Sequence, residues 1–318
     1  MVGLLGLLAL TGCAAPASGR PSVVVTTNIL GDITRQIAGD EAEVTVLMRP
    51  GADPHSFGIS APQAARIEQA DLIVYNGLGL EENVLRHVAA ARDAGVPALA
   101  VAERADPLTY ASDDLAGRPD PHFWTDPTRV RTGARLIAEQ LIEHVEGVDA
   151  AAVRANAARY DTQLDDLTRW MTDRFDAIPE QRRNLVTNHH VFGYLAQRFG
   201  FRVIGAVIPS GTTLASPSAA DLKSLATAIE QAKVPAIFAD SSQPDRLAQA
   251  LRNESHVDVR VLPLFSESLT EEGRGAATYL QMMRANTTTI ADGLGAPTSA
   301  STSTPTSTPA STPDPARS

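Results

Sequence analysis

Between Asp149 and Pro179 the chain carries one unbroken apolar stripe at helical spacing. Val153, Ala157, Tyr160, Leu164, Leu167, Met171 and Phe175 recur at intervals of four and three residues, which places them on one helix face. Arg154, Arg159, Asp165, Asp166, Arg169 and Asp173 lie off that face. One helix over residues 149–178 would run about 45 Å, at about 1.5 Å per residue. Pro179 ends it, because proline has no N–H to give the helical ladder. A pair of helices broken near Asp161 would carry the same stripe. A continuous helix of that length reaches along two compact units, so it predicts a spine with one unit at each end.

The segments on either side of the stripe repeat one pattern. Residues 22–27, 43–48, 71–76 and 97–102 read as strands, separated by helices over 29–38, 62–70 and 81–94. After the stripe, residues 184–187, 202–208, 236–239 and 260–263 read as strands. Helices over 191–199, 218–231, 244–252 and 276–291 alternate with them, and Ser218 with Asp221 forms a helix-start cap. Strands that are apolar along their length and alternate with helices predict parallel sheets covered on both faces. The fold class is therefore α/β with two units, and 318 residues suffice for two cores.

The two ends stand apart from this body. The opening run MVGLLGLLALTGC is apolar and uncharged, and at about a dozen residues it falls short of the roughly 20 needed to span a bilayer. It suits the apolar part of a secretory signal, although no basic residue precedes it. Leu10-Thr11-Gly12-Cys13 resembles a bacterial lipobox, in which the cysteine is acylated. The expectation is a signal and tether over residues 1–21, with a lipid anchor on Cys13. Cys13 is the only cysteine, which excludes an internal disulfide and a thiolate metal site. Residues 295–318 are almost entirely Ser, Thr, Pro and Ala, a composition that cannot bury a core and predicts disorder. A net charge of −10 argues against a nucleic-acid partner.

Of the seven histidines, three occupy a distinctive setting. His55 closes Pro50-Gly-Ala-Asp-Pro-His just after a strand, and His122 closes Asp120-Pro-His just before a helix. His189 follows the strand over 184–187, with His190 beside it. Asp240 and Glu267 also stand at strand exits. In parallel α/β sheets, ligands bind beyond the carboxyl ends of strands, so two facing units would bring these loops to one cleft. Proline fixes its own φ and restricts the residue before it, so each Asp-Pro-His loop holds its imidazole rigidly. The flanking aspartates suit a role of orienting a ring N–H. Three neutral imidazoles and one carboxylate complete a four-coordinate site for a zinc-like cation.

In order and spacing, further segments join these. They are Thr187-Asn-His189-His-Val-Phe-Gly-Tyr194, Ser216-Pro-Ser-Ala-Ala-Asp-Leu222, Ile237-Phe-Ala-Asp240-Ser-Ser and Leu264-Phe-Ser-Glu267-Ser-Leu. Together with the two Asp-Pro-His loops they resemble the zinc- and manganese-binding receptors of ABC importers over about residues 22 to 294. The resemblance implies two Rossmann-like (β/α) lobes, over 22–148 and 179–294, joined by one long rigid helix over 149–178. It implies a metal site in the interlobe cleft, with His55, His122, His189 and Glu267 as the ligands. It selects His189 over His190 and leaves Asp240 behind the ligands. The chain departs from the family at Glu267, usually Asp, at Gly58, often Glu, and over residues 103–119, which lack the histidines many zinc receptors carry there. His87, His144 and His256 match no role, and the first two are expected to be solvated on helices. Trp124 is expected against the site and Trp170 over the long helix.

Three imidazoles favour Zn2+ over Mn2+, which prefers more oxygen ligands. The implied function is an extracytoplasmic, lipid-anchored receptor that binds zinc and delivers it to an ABC permease, acting as a monomer. A manganese receptor and a metal-binding surface adhesin are the alternatives. A zinc hydrolase needs an open coordination position, and the chain has no Gly-x-Ser-x-Gly, no His-Glu-x-x-His and no phosphate-binding glycine loop. Since ligation needs neutral imidazoles, affinity is expected to fall below about pH 6.5.

Overall fold

The computed structural model describes residues 19–110 and 115–295, so Cys13 and the Ser/Thr/Pro tail lie outside the described residues. The first lobe runs β1 (Ser22–Val25), α1 (Asn28–Ala38), β2 (Glu43–Val46), α2 (Ala61–Glu68), β3 (Leu72–Tyr75), α3 (Glu82–Asp93), β4 (Ala98–Ala100), α4 (Val101–Arg104) and α5 (Pro127–His144). Then comes α6 (Ala150–Asp176). The second lobe runs β5 (Asn184–Thr187), α7 (Gly193–Phe199), β6 (Arg202–Ala206), α8 (Ala219–Ala232), β7 (Ala236–Asp240), α9 (Arg246–Glu254), β8 (Arg260–Leu264) and α10 (Tyr279–Gly293).

Each lobe holds a four-stranded parallel sheet, with orders β2-β1-β3-β4 and β6-β5-β7-β8. The central strands β3, β5 and β7 are buried at every position, and β1 at all but its first. The outer strands β2, β6 and β8 are half-buried or exposed at most positions. That contrast follows from helices covering both faces of a parallel sheet while its edges stay near solvent. The capping box at Ser218 and Asp221 is present and starts α8.

The long helix is continuous past Asp161, spans 27 residues and is about 40 Å long at about 1.5 Å per residue. The Asp149 carboxylate caps its start by accepting from Ala151 N at 2.8 Å. Val153, Tyr160, Leu164, Leu167, Met171 and Phe175 are all buried, while Ala157 is half-buried. These side chains join one apolar cluster with α1 and α5 of the first lobe and α10 of the second. Phe175 meets Phe199 and Phe201 edge-on, with centroids 5.1 and 4.9 Å apart. The helix is thus a shared wall of both cores, and Trp170 covers it under the Arg284 guanidinium, 4.9 Å from the ring centroid.

Expected strands over 22–27, 43–48, 71–76 and 202–208 end one or two residues early, at Val25, Val46, Tyr75 and Ala206, and a fifth changes conformation. Residues 97–102 divide into β4 and the start of α4, because Val101 and Ala102 turn into a helix. Alanine-rich runs have little preference for extended backbone. Both residues stay fully buried either way, so the hydrophobic pattern could not tell the two conformations apart. The helices for which limits were expected begin and end within three residues of them, while α5 was foreseen only as a helix following His122.

Candidate metal centre

The four residues converge from four separate loops. His55 lies between β2 and α2, His122 just ahead of the short 3-10 turn Phe123–Thr125 that leads into α5, His189 just after β5, and Glu267 just after β8. One donor atom from each lies within 4.8 Å of the donor atoms of the other three. His122 Nε2 is 3.4 Å from His55 Nε2, and Glu267 Oε1 is 2.9 Å from His189 Nε2 and 3.6 Å from His122 Nε2. Glu267 Oε2 lies 4.0 Å from His55 Nε2. All four side chains are buried. Neither Glu267 oxygen nor His189 Nε2 makes a hydrogen bond of acceptable geometry among the described residues. Buried polar atoms normally have partners, so the unpartnered Glu267 oxygens and His189 Nε2 beside the His55–His122 pair make a fit for a small cation. Three nitrogens and one carboxylate suit a zinc-like ion.

Local sequence explains why each side chain is held. In the His55 loop, Gly51 has φ +71, which glycine adopts at no steric cost, and its N–H donates to Leu269 O of the other lobe at 2.9 Å. Asp53 then turns the loop by accepting from His55 N at 3.0 Å. In the His122 loop, Asp120 Oδ1 accepts from the backbone N of His122 at 2.9 Å and lies 2.7 Å from its ring Nδ1. That pairing leaves Nε2 facing the cluster, as a carboxylate behind a metal-binding imidazole does. Tyr194 of α7 donates to Asp120 O at 2.7 Å, tying this loop to the second lobe. Trp124 packs edge-on against His122 at 5.3 Å and donates to Ser266 O at 2.9 Å, beside Glu267. Asn28 donates to Ser268 Oγ at 2.7 Å and accepts from Leu269 N at 2.9 Å, so Glu267 is bracketed by contacts from the first lobe.

Burial sets the protonation of the group. It pushes the His55 imidazole down to about 4, against the opposing pull of Glu267. His122 and His189 are also lowered by burial, so all three rings are neutral and ready to ligate. Burial raises the Glu267 carboxyl to about 8, and the Asp120 carboxyl to about 7. With no cation opposing it, a buried acid keeps its proton.

The neighbouring candidates separate cleanly. Asp240 is buried but lies outside the converging group, its oxygens accepting from Ser242 N at 2.8 Å and Ser242 Oγ at 2.9 Å. His190 is half-buried and faces Tyr110 rather than the cluster. Gly58 is exposed, with nothing within 4 Å of where a side chain would begin. Of the two flanking aspartates only Asp120 meets an imidazole ring; Asp53 holds the backbone of His55 instead. His144 and His256 are exposed, whereas His87 is half-buried beside Arg86, less solvated than its helix position suggested. Tyr110, whose hydroxyl lies 3.3 Å from His122 Nδ1, carries no mark in the sequence. Nothing but proximity in the fold marks that tyrosine.

The family model for ZnuA, the periplasmic component A of a zinc-uptake complex, matches residues 23–293. The chain belongs to this family. Among ZnuA-family relatives it is 32% identical over 284 residues to the zinc-binding protein TroA of Treponema pallidum, covering 88% of this chain and 91% of TroA. It is 31% identical over 299 residues to the metal ABC transporter substrate-binding lipoprotein FimA of Streptococcus parasanguinis, covering 92% and 95%. It is 29% identical over 310 residues to the manganese ABC transporter substrate-binding lipoprotein PsaA of Streptococcus anginosus, covering 92% and 97%. The solved structure of Treponema pallidum TroA matches the two-lobed fold with a TM-score of 0.80, covering 87% of this chain and 99% of that one.

Proposed function

We propose that this protein is an extracytoplasmic receptor that captures Zn2+ and delivers it to the permease of an ABC importer. The observation that carries the reading is the convergence of His55, His122, His189 and Glu267, buried from both lobes on one point. Four protein donors fill a tetrahedral shell and leave no position for substrate water, which favours capture over hydrolysis. Membership of the ZnuA family and similarity to TroA, a zinc-binding protein, support the same reading. Cys13 carries the lipid that holds the receptor at the outer face of the membrane, as the lipoprotein relatives FimA and PsaA suggest. The functional units are the lobes over 22–148 and 179–294 with the spine over 149–178. The receptor acts as a monomer and has no nucleic-acid partner.

Similarity to PsaA, a manganese receptor, keeps Mn2+ as the second reading. The ligand set supports zinc, since three imidazoles favour it and the Irving–Williams order adds to that preference. Equilibrium competition on metal-free protein separates the two. Zinc should displace manganese by at least roughly 100-fold in affinity; a preference for manganese overturns the zinc assignment. Failure to bind either ion removes the receptor reading itself.

A further inference from the structure

Asp53 does more than turn its own loop. Its Oδ1 accepts from His55 N at 3.0 Å, and its Oδ2 accepts from Ser56 Oγ at 3.1 Å. The same Oδ2 accepts from Thr213 Oγ1 at 2.6 Å and from Gln243 Nε2 at 3.0 Å. Thr213 lies between β6 and α8, and Gln243 between β7 and α9, so both donors belong to the second lobe. One carboxylate therefore fastens the loop of a first-lobe imidazole to two loops across the cleft. Thr213 and Gln243 are half-buried, whereas the four converging donors are buried. The contact sits nearer solvent than the point where those donors converge.

The Thr213 loop touches the surroundings of the other two imidazoles as well. Ile208 N donates to Asn188 O at 2.8 Å, and His190 N donates to Ser210 O at 3.0 Å, which brackets His189. At Gly211 a Cβ would fall 2.4 Å from the hydroxyl of Tyr110, the same hydroxyl that lies 3.3 Å from His122 Nδ1. Glycine there lets the tyrosine reach under the loop. Residues 208–214 thus contact a neighbour of each imidazole, and Asp53 is their charged link to the first lobe.

We propose that Asp53 is a positioning residue that latches the lobes together and sets how fast the captured metal leaves. This rests on the metal-receptor reading. With Thr213 and Gln243 on its Oδ2, Asp53 holds the His55 loop against the opposite lobe while metal is bound. Release requires those two hydrogen bonds to break before His55 can withdraw. Hydrogen bonds to a carboxylate are roughly twice as strong as neutral ones, so their loss acts on dissociation more than on capture.

The test uses the full chain loaded with zinc, and stopped-flow capture of the released ion by excess chelator. Thr213→Val with Gln243→Ala removes both donors and leaves Asp53 and all four converging residues in place. The zinc off-rate should rise roughly tenfold or more, as loss of a charge-assisted hydrogen bond predicts, while the on-rate changes less than about threefold. In an Asp53→Ala background the same two substitutions should add nothing further, since the interaction they remove is already gone. Zinc that binds normally and leaves the double variant at the unaltered rate overturns the latch, as do additive effects. A mere loss of structure would lower the melting temperature of the metal-free chain without separating the two rates, and that result also overturns it. If the unaltered chain binds no zinc, the receptor reading fails first.

Discussion

Zinc capture at neutral pH should expel a proton from Glu267. Burial raises this carboxyl to about 8, so at pH 7 roughly 0.9 of the metal-free molecules carry it protonated. A carboxylate must be ionised to ligate, so binding releases that proton. His55, lowered to about 4, is already neutral at pH 7 and releases on the order of 0.001 proton. Asp120, raised to about 7, adds up to roughly half a proton as the metal on His122 strengthens the ring N–H behind it. The total at pH 7 is roughly one to one and a half protons, and by pH 9 the Glu267 share falls to about 0.1. The sign follows from the raised carboxyl. The protonated metal-free form dominates below about pH 8, so affinity climbs by up to roughly tenfold per pH unit toward that value and levels above it. The sequence alone pointed to a step at the ordinary histidine value near 6.5; burial removes that step by keeping the rings neutral. Isothermal titration calorimetry in buffers of different ionisation enthalpy reads the protons released as a slope. A slope near zero at pH 7, or one that Glu267→Gln leaves unchanged, refutes the reasoning.

Two further outcomes test the site and its surroundings. His122→Ala should weaken zinc binding by at least roughly 100-fold, since four ligands share a binding energy above about 10 kcal/mol; chelator competition reads this, and an unchanged affinity removes His122 from the site. Circular dichroism of the metal-free variant should match the parent, because His122 lies in a loop between elements and not within a helix or strand. On zinc loading, amide hydrogen exchange should slow in residues 49–57 and 208–214 while α6 amides keep their rates; a large change in α6 would mean that the spine itself moves.

The sequence carried the architecture because the central strands are short, mostly apolar segments alternating with helices, a pattern that calls for a doubly covered parallel sheet. Even where the expected strands overran, the chemistry held. Thr26 N donates to Val74 O, Leu47 N to Val25 O and Met48 N to Thr26 O, so backbone pairing continues past the named strands toward the cleft. The unbroken spine was legible in its stripe, though its alternative, a break near Asp161, needed the structure to dismiss it. His55 and His189 were legible because strand exits in parallel sheets share one end, and His122 because it repeats the Asp-Pro-His loop at a helix entry. The choice of His189 over His190 came from the family resemblance alone, since neighbours in sequence differ only in which way the backbone turns after β5. Asp120 and Asp53 look alike in sequence, both in Asp-Pro-His, yet one meets a ring and the other the opposite lobe. That difference depends on Thr213 and Gln243, 160 and 190 residues away, and no local pattern reports such partners.

The same distances decide how a sealed site can open. His122 and His189 have no exposed surface and Glu267 only 1%, so the ion cannot leave unless loops or lobes part. Parting the lobes at the spine would strip Tyr160, Leu164, Leu167, Met171 and Phe175 from a cluster that both lobes share, at about 1.5–3 kcal/mol for each large side chain. Parting the loops costs hydrogen bonds. They include Gly51 to Leu269, Asn28 to Ser268 and Leu269, Trp124 to Ser266, Tyr194 to Asp120, and Thr213 and Gln243 to Asp53, at about 0.5–1.5 kcal/mol each and up to about 3 for those on the carboxylate. Water can replace hydrogen bonds as they break, but it cannot replace the apolar contacts. The lower-energy route therefore keeps α6 seated in both cores and swings the ligand loops apart at the far side. Motion confined there is small, and that suits a receptor in which four converging donors would need to separate by only a few ångströms to lose a metal held at about 2 Å.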